Sequence, residues 1–389
     1  MMKTKSLYIA VAFIAFSMAA CTNDTPVNGQ MNEEAGRIYL SAGMGETVSS
    51  RSPYQPTDGS GNVLSSPTTA HPLDVSVWAS TTSGTYPDLG LNGSSGEVVA
   101  IHTQAFFQSG DPQLLGEAIY PKMPEGSDTP VPVYFIGLHP KSKEGSAWKV
   151  VGENKSASYT FTGKEDVMLA PEISGTYGIA YNSSPTFHFY HLLTWLRFEM
   201  VADIDESDVL KRETIAKAWG KIKGLTIKSK NGLIIPNVGE ITSANLASSV
   251  SFDNEMDMSL YQTASNKVFP ESVGKDIPTT GIEEVAYVMC APVNGIYKDT
   301  FEKLVSEYTL HVVTEKRELD IPIDLKLNAG TGESSYFKGS TMGKQFTVLL
   351  NFKMGNIISV SAAVSLDANT DWYTHGTGSK ELTEDILDE

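Results

Sequence analysis

The residue whose surroundings point most directly to a chemical modification is Cys21. A basic start with Lys3 and Lys5 precedes an apolar run over residues 7–20, which ends Met18-Ala-Ala. This series is typical of a secretory signal peptide, and the run is too short to remain in a bilayer as a helix. A cysteine at the cut is the bacterial lipoprotein arrangement, in which the thiol receives a diacylglycerol. Two or three acyl chains, palmitate among them, make a stable anchor.

We therefore predict a signal peptide over residues 1–20, lipidation of Cys21 and a polar tether over residues 21–36. The lipoprotein would lie on the cell outer membrane, exposed at the surface. A plain signal peptide with an incidental Cys21 is the alternative. Met18 stands where lipoproteins usually have leucine, three places before the cysteine.

Arg51 lies where a protease can cut. It follows the small, polar stretch 43–50 and precedes Ser52 and Pro53. A lone basic residue in an exposed segment rich in Ser, Gly and Pro suits a trypsin-like protease. We predict cleavage between Arg51 and Ser52, with Arg37 as the second choice and an ordinary, uncut loop as the alternative.

Residues 38–42, just before this loop, have the pattern of a first β-strand. Every second residue is apolar and lies on one face, namely Ile38, Leu40 and Ala42. Cleavage after Arg51 would detach this strand from its sheet. The sheet would then keep an unpaired apolar groove, which is a site for polymerisation with another chain.

Other residues that could bind a metal or catalyse a reaction do not form a recognisable site. His188 and His191 would lie on opposite faces of a strand. The acidic residues at 203, 205 and 208 lack the glycine and the distant glutamate of a calcium loop, and fit the acidic start of a helix better. The sequence contains no nucleophile elbow, zinc, phosphate-loop or dinucleotide motif. We predict no enzyme, no metal site and no cofactor.

The tryptophans are predicted to pack in the core or at its rim rather than to form a platform for sugars. They are Trp78, Trp148, Trp195, Trp219 and Trp372. Cys290 lies in the apolar run 285–290 and is predicted to be a buried, small apolar residue. With Cys21 lipidated, Cys290 has no partner for an intrachain disulfide.

Composition limits the classes of partner. The chain has 389 residues, 41% of them hydrophobic, which is enough for two sandwich-sized domains. Its formal net charge of −17 argues against binding to nucleic acid or to anionic lipid headgroups.

Short alternating runs broken by Gly, Pro, Ser, Asn and Asp predict an all-β fold. A Gly- and Ser-containing stretch over residues 171–185 separates two sets of strands, so we predict tandem β-sandwich domains over residues 37–182 and 183–389. Residues 191–195 do not alternate, which indicates a bend. Residues 203–219 form the one clear helical interval.

Several of these segments, in this order, resemble the fimbrillin family, the lipoprotein-derived pilins of Bacteroidetes-type bacteria that include FimA- and Mfa-like subunits. The segments are Cys21, the strand and loop ending at Arg51, the run 133–140, the run 189–198 and the closing segment 357–372. Residues 189–198 look like the family's His-x-Leu-x-x-Leu-x-Phe strand. The resemblance covers nearly the whole chain; Trp195 and the polar tail after Trp372 depart from the pattern.

This resemblance implies two transthyretin-like β-sandwiches in a structural subunit of a surface fimbria for cell adhesion. An Arg-specific protease would remove the lipid anchor together with the first strand, and a strand from the next subunit would fill the groove. The partners would be other fimbrial subunits, in a homo- or hetero-polymer, and host or bacterial surface ligands.

The C-terminal strand is the candidate donor, because alternate residues give it one apolar face, namely Ile358, Val360, Ala362 and Val364. An ordinary core strand of the second domain is an equal alternative for this segment. For the whole chain, the alternative function is an uncleaved surface glycan-binding lipoprotein of a polysaccharide-uptake system. Such a protein has no need of an arginine behind a detachable first strand.

Overall fold

The computed structural model describes residues 41–44, 73–80, 82–86, 100–108, 111–115, 132–141, 148–153, 155–176, 186–263, 265–295, 308–323, 325–326, 339–354 and 358–364. The predicted signal peptide, lipidation site, tether and cleavage site lie outside these ranges.

The described chain consists mainly of β-strands, so the predicted all-β fold class is confirmed. The strands are β1 Ser41–Met44, β2 Leu73–Ser80, β3 Ala100–Gln108, β4 Asp111–Leu115, β5 Pro132–His139, β6 Lys149–Val151, β7 Ser156–Thr160, β8 Met168–Thr176, β9 Thr186–His191, β10 Thr194–Ala202, β11 Ile222–Ile235, β12 Ser251–Tyr261, β13 Val268–Phe269, β14 Glu283–Cys290, β15 Asn294–Gly295, β16 Tyr308–Thr314, β17 Glu318–Ile323, β18 Leu325–Lys326, β19 Gly339–Ser340, β20 Gln345–Phe352 and β21 Ile358–Val364. The helices are α1 Val209–Trp219, α2 Leu246–Ser249 and a 3₁₀ turn at Val238–Glu240.

The first sheet has the strand order β1-β9-β8-β5-β2-β3-β4. β1 runs parallel to β9, and the other neighbours are antiparallel. Cα atoms of β1 also come within 8 Å of β3 and β4, although β1 and β4 are the two ends of the strand order. The sheet therefore curls until its two edge strands approach each other.

The second sheet has the order β17-β16-β11-β12-β14-β10-β20-β21-β18. β7 joins this sheet by pairing with β11, although it precedes β8 of the first sheet in the chain. β9, in turn, pairs with β8 of the first sheet. Strands thus pair across the predicted domain division between residues 182 and 183, which stays a prediction.

Both faces of β2, a strand inside the first sheet, are buried. Val75 and Val77 of β2 pack into one cluster, which is confined to the first sheet. Trp78 of the same strand packs into a larger cluster that continues into the second sheet. Alternation along β2 explains the split, since successive residues point to opposite faces. The first sheet therefore has a core of its own and a second, shared core.

The chain crosses from the first sheet to the second at Leu192 and Leu193. β9 ends at His191 and β10 begins at Thr194, so the predicted bend is confirmed. Leu192 and Leu193 are both fully buried, and the Leu192 amide donates to the Val167 carbonyl at 2.8 Å.

The predicted loop beginning at Pro171 is wrong at its start. β8 continues through Pro171 and ends at Thr176. The ladder with β5 pairs Ala170 with Gly137 and Ile173 with Phe135, so two residues of β8 oppose one residue of β5. This β-bulge accommodates the proline, because its extra residue needs no ladder hydrogen bond.

Helix α1 begins at Val209, six residues after the predicted start, so the acidic residues at 203, 205 and 208 precede the helix rather than form its first turn. Asp208 caps it, with Oδ1 accepting from the Leu210 amide at 2.9 Å. Ile215 and Trp219 are the buried residues of the helix. In the part of the chain that the structure describes, no helix is long and apolar enough to cross a membrane.

Candidate assembly site

β1 joins the first sheet through β9. Its residues 41–44 pair in parallel with residues 186–189 of β9. The ladder between β9 and β8 joins His191 to Met168 and Tyr190 to Leu169. The two ladders therefore use different ends of β9. In the described ranges, removal of β1 would leave the backbone of residues 186–189 without a ladder partner.

The strand β9 also carries part of the core beneath this edge. Phe187 and Phe189 are fully buried, with ring centroids 6.0 Å apart. A Cβ atom added to Gly137 of β5 would lie 2.7 Å from Cζ of Phe189, so the Phe189 ring lies directly on the β5 backbone. An edge strand over buried aromatic residues is the arrangement that strand removal would convert into an apolar groove.

Few of the residues predicted for this site can be located. Ala42 lies in β1, opposite Phe187. The predicted end of the first strand at residue 42 is wrong, because β1 continues through Gly43 and Met44, which pair with His188 and Phe189. Ile38, Leu40, Cys21, Arg51 and Ser52 lie outside the described residues. Lipidation and cleavage therefore stay predictions.

The candidate donor strand β21 lies in the second sheet. It pairs antiparallel with β20 along its whole length, with Ile358 opposite Phe352, Val360 opposite Leu350, Ala362 opposite Val348 and Val364 opposite Phe346. These four β20 residues are fully buried. On its other side, Ala362 and Ala363 pair with β18. Its role as a donor stays a prediction.

A buried contact between a histidine and an aspartate, which the sequence did not predict, lies at the end of β9. Nδ1 of His191 is 2.9 Å from Oδ1 and 2.8 Å from Oδ2 of Asp166, and both side chains are fully buried. His191 continues the buried row of Phe187 and Phe189, because residues two apart share a strand face. A histidine in such a row needs a polar partner, and this was the available sequence signal.

A second unpredicted cluster joins the two sheets. The Glu172 carboxylate accepts from Ser83 Oγ at 2.6 Å, from the Gly84 amide at 2.7 Å and from the Tyr86 hydroxyl at 2.6 Å. Burial, reinforced by Glu172, raises the pKa of Tyr86, so this hydroxyl stays protonated and donates. A Cβ added to Gly239 of the 3₁₀ turn would lie 2.3 Å from Gly84 Cα. The loop 82–86 thus contacts the second sheet's turn backbone to backbone.

The other candidate residues have structural roles. His188 is exposed whereas His191 is buried, so the two lie on opposite faces of β9 as predicted. Trp78, Trp148, Trp195 and Trp219 are buried, as predicted, and Trp372 lies outside the described residues.

Cys290 is fully buried, as predicted, and burial raises the pKa of its thiol. The acidic residues before α1 bind within the protein: Asp208 caps the helix, and Asp205 accepts from Lys353 at 2.8 Å. No group of three or more His, Cys, Asp or Glu side chains in the described ranges could hold a metal ion.

Comparison with known proteins gives matches at the level of solved structures. No family model matches the sequence, and no curated protein matches it. A candidate cell adhesion protein from Bacteroides uniformis is 12% identical, with a TM-score of 0.43 over 88% of this chain and 100% of that chain. Another, from Bacteroides ovatus, is 12% identical, with a TM-score of 0.41 over 87% of this chain and 99% of that chain.

A fimbrial assembly protein from Parabacteroides distasonis is 10% identical, with a TM-score of 0.37 over 84% of this chain and 94% of that chain. With identities and TM-scores this low, these solved structures carry no conclusion about what this chain does.

Proposed function

We propose that this chain is a structural subunit of a surface fimbria that serves cell adhesion. It is exported as a lipoprotein through Cys21, cut after Arg51 and polymerised by strand exchange. The chain acts without catalysis, and its partners are other fimbrial subunits and surface ligands.

The observation that carries the proposal is the position of β1. It is an end strand of the first sheet, it pairs in parallel with one end of β9, and the predicted cleavage site follows it in the chain. A strand in this position can leave without breaking the ladders between β9, β8 and β5. The fully buried Phe187 and Phe189 give the vacated edge its apolar character.

Loss of this strand is costly enough to drive assembly. Removing Ile38 and Leu40 from a core would cost roughly 1.5–3 kcal/mol for each side chain. Each ladder hydrogen bond adds about 0.5–1.5 kcal/mol. These terms together are comparable with the total stability of a domain, about 5–15 kcal/mol. A strand from a neighbouring subunit would restore both contributions.

The proposed donor is β21. Its alternate residues from Ile358 to Val364 supply an apolar row that can replace Ile38, Leu40 and Ala42. Donation requires β21 to leave β20, which exposes the buried β20 residues Leu350 and Val348. The subunit interface must offset this second loss.

Among the residues whose side chains the structure describes, there is no aromatic platform that would support the alternative of a glycan-binding lipoprotein. Sugar platforms use exposed aromatic rings. Among the residues whose side chains are described, no Trp, Tyr or Phe is exposed.

The proposal is tested by blocking the cut. Arg51→Ala in the producing bacterium should abolish SDS-resistant ladders of the surface protein and leave lipidated monomer, whereas the matched variant Arg37→Ala should form normal ladders. Normal ladders from Arg51→Ala would show that release of the first strand is not the assembly step. A second variant, Cys21→Ala, should leave unlipidated precursor in the periplasm, and unchanged lipid labelling would exclude the lipoprotein route.

A further inference from the structure

The buried row of β9 ends in a polar contact between His191 and Asp166. Phe187, Phe189 and His191 occupy successive positions on one face. The phenylalanines pack among apolar side chains of β2, β5 and β8, whereas His191 contacts Asp166 at 2.8 Å. Asp166 lies just before β8, the strand that remains paired to β9 when β1 is absent.

Three contacts hold the C-terminal end of β9. Asp166 joins the His191 side chain to the segment leading into β8. The Leu192 amide donates to the Val167 carbonyl at 2.8 Å, directly beside it. The ladder joins His191 to Met168 and Tyr190 to Leu169. All three contacts lie at the C-terminal end of β9, and all are independent of β1.

We infer that Asp166 and His191 are positioning residues for strand exchange: they hold β9 in its sheet while residues 186–189 lack a partner. This inference rests on the proposed function. In the uncut chain β1 holds residues 186–189, so the contact between His191 and Asp166 adds little to their order. After the cut, the backbone ladder holds β9 at its C-terminal end only, and Phe187 and Phe189 are held by packing alone. Breaking the buried contact then leaves the His191 imidazole without its carboxylate partner in the core. The strand then detaches, and the groove cannot accept a new strand.

The test measures amide hydrogen exchange at residues 186–189 in the full-length chain before and after cutting with an Arg-specific protease. It also measures the affinity of the cut chain for a labelled synthetic peptide of residues 38–46. The variants are Asp166→Ala and the isosteric Asp166→Asn. Asp166→Asn keeps an acceptor oxygen, so it still tests the inference if Asp166→Ala fails to fold. The control is Asp320→Asn, because Asp320 forms an exposed pair of the same chemistry with His311 at 2.8 Å, in the second sheet.

Exchange at residues 186–189 should change less than about twofold in the uncut Asp166 variants and rise about tenfold or more in the cut ones. Peptide affinity should fall about tenfold or more for Asp166→Ala, less for Asp166→Asn and not at all for Asp320→Asn. A purely structural role predicts equal increases in cut and uncut chains, and that result would overturn the inference.

Two further outcomes distinguish a failure of the positioning role from a failure of the proposed strand exchange. If the unaltered cut chain binds the peptide and both Asp166 variants bind it equally well, the positioning role is wrong and strand exchange stands. If the unaltered cut chain does not bind the peptide, strand exchange itself is wrong, and the positioning role falls with it.

Discussion

Gly239→Ala should break the junction between the two sheets. The added Cβ would lie 2.3 Å from Cα of Gly84, 2.7 Å from its amide nitrogen and 3.0 Å from Oε2 of Glu172. Two of these atoms belong to the backbone, so a side-chain rotation cannot relieve the contact. The loop 82–86 must move away from the 3₁₀ turn, which pulls its donors away from Glu172.

The magnitude follows from three contributions. Overpacking costs about 1–3 kcal/mol, and weakening one hydrogen bond to the Glu172 carboxylate costs about 1.5–3 kcal/mol. Replacing glycine by alanine also stabilises the folded state by about 0.4–1 kcal/mol, because alanine lowers the conformational entropy of the unfolded chain. We expect a net loss of about 1.5–5.5 kcal/mol in the free energy of unfolding.

The assay is urea unfolding followed by intrinsic tryptophan fluorescence, since Trp78 and Trp148 belong to the shared core. Gly281→Ala is the matched control, because an added Cβ there meets nothing within 4 Å. That variant should be neutral or slightly more stable. Equal stability of Gly239→Ala and Gly281→Ala would refute the direct backbone contact between Gly84 and Gly239.

Three other predictions concern the donor strand, the thiol and the buried tyrosines. Val360→Asp should abolish SDS-resistant ladders, because a carboxylate cannot enter an apolar groove; ladder loss with a folded monomer supports β21 as the donor, an unfolded monomer identifies β21 as a core strand of its own domain, and normal ladders would place the donor outside β21, in the tail after Trp372. Cys290 should resist iodoacetamide in the native chain and react in urea, because burial raises the pKa of its thiol; rapid native alkylation would contradict its burial. Burial also raises the pKa of Tyr86 and Tyr287 above the ordinary value of about 10. The folded state therefore holds these protons more tightly than the unfolded state, so the two tyrosines should leave stability unchanged below about pH 10 and lower it above that pH. The decline should be less steep in Tyr86→Phe, and an equally steep decline would contradict the raised pKa of Tyr86.

The sequence predicted the elements with strong alternation and buried faces. Val75 and Val77 on one face of β2, with Trp78 on the other, determine how that strand lies between two cores. Pro132 begins β5, as a proline without an amide donor should. The bend between His191 and Thr194 was visible as a break in alternation.

Strand β12 could not be recognised in the same way. Its first residues are mostly exposed, and Asp253, Glu255 and Asp257 give it the composition of a loop. The segment forms a strand because it pairs with β11, where Asp257 lies opposite Lys228 and Glu255 lies opposite Lys230. Residues 251–257 of β12 pair with β11, whereas the pairing with β14 is at Tyr261. Exposed charges along such a one-sided stretch prevent unwanted pairing, and they give the strand a loop-like sequence.

The two polar clusters were also beyond prediction from local patterns. Asp166 and His191 meet only when β8 and β9 take their register, and Glu172 reaches donors 86 to 89 residues away. Such contacts depend on tertiary packing rather than on spacing. A histidine at the end of the row begun by Phe187 was the single local indication that a partner was needed.

The most direct test of strand release is the N-terminal residue of the polymerised protein, read from fibres sheared off intact cells. Cleavage after Arg51 predicts Ser52 as the first residue, with residues 38–51 absent. Fibres beginning at Ile38 would retain the first strand. That result would contradict the groove mechanism, because β9 would still have its own partner.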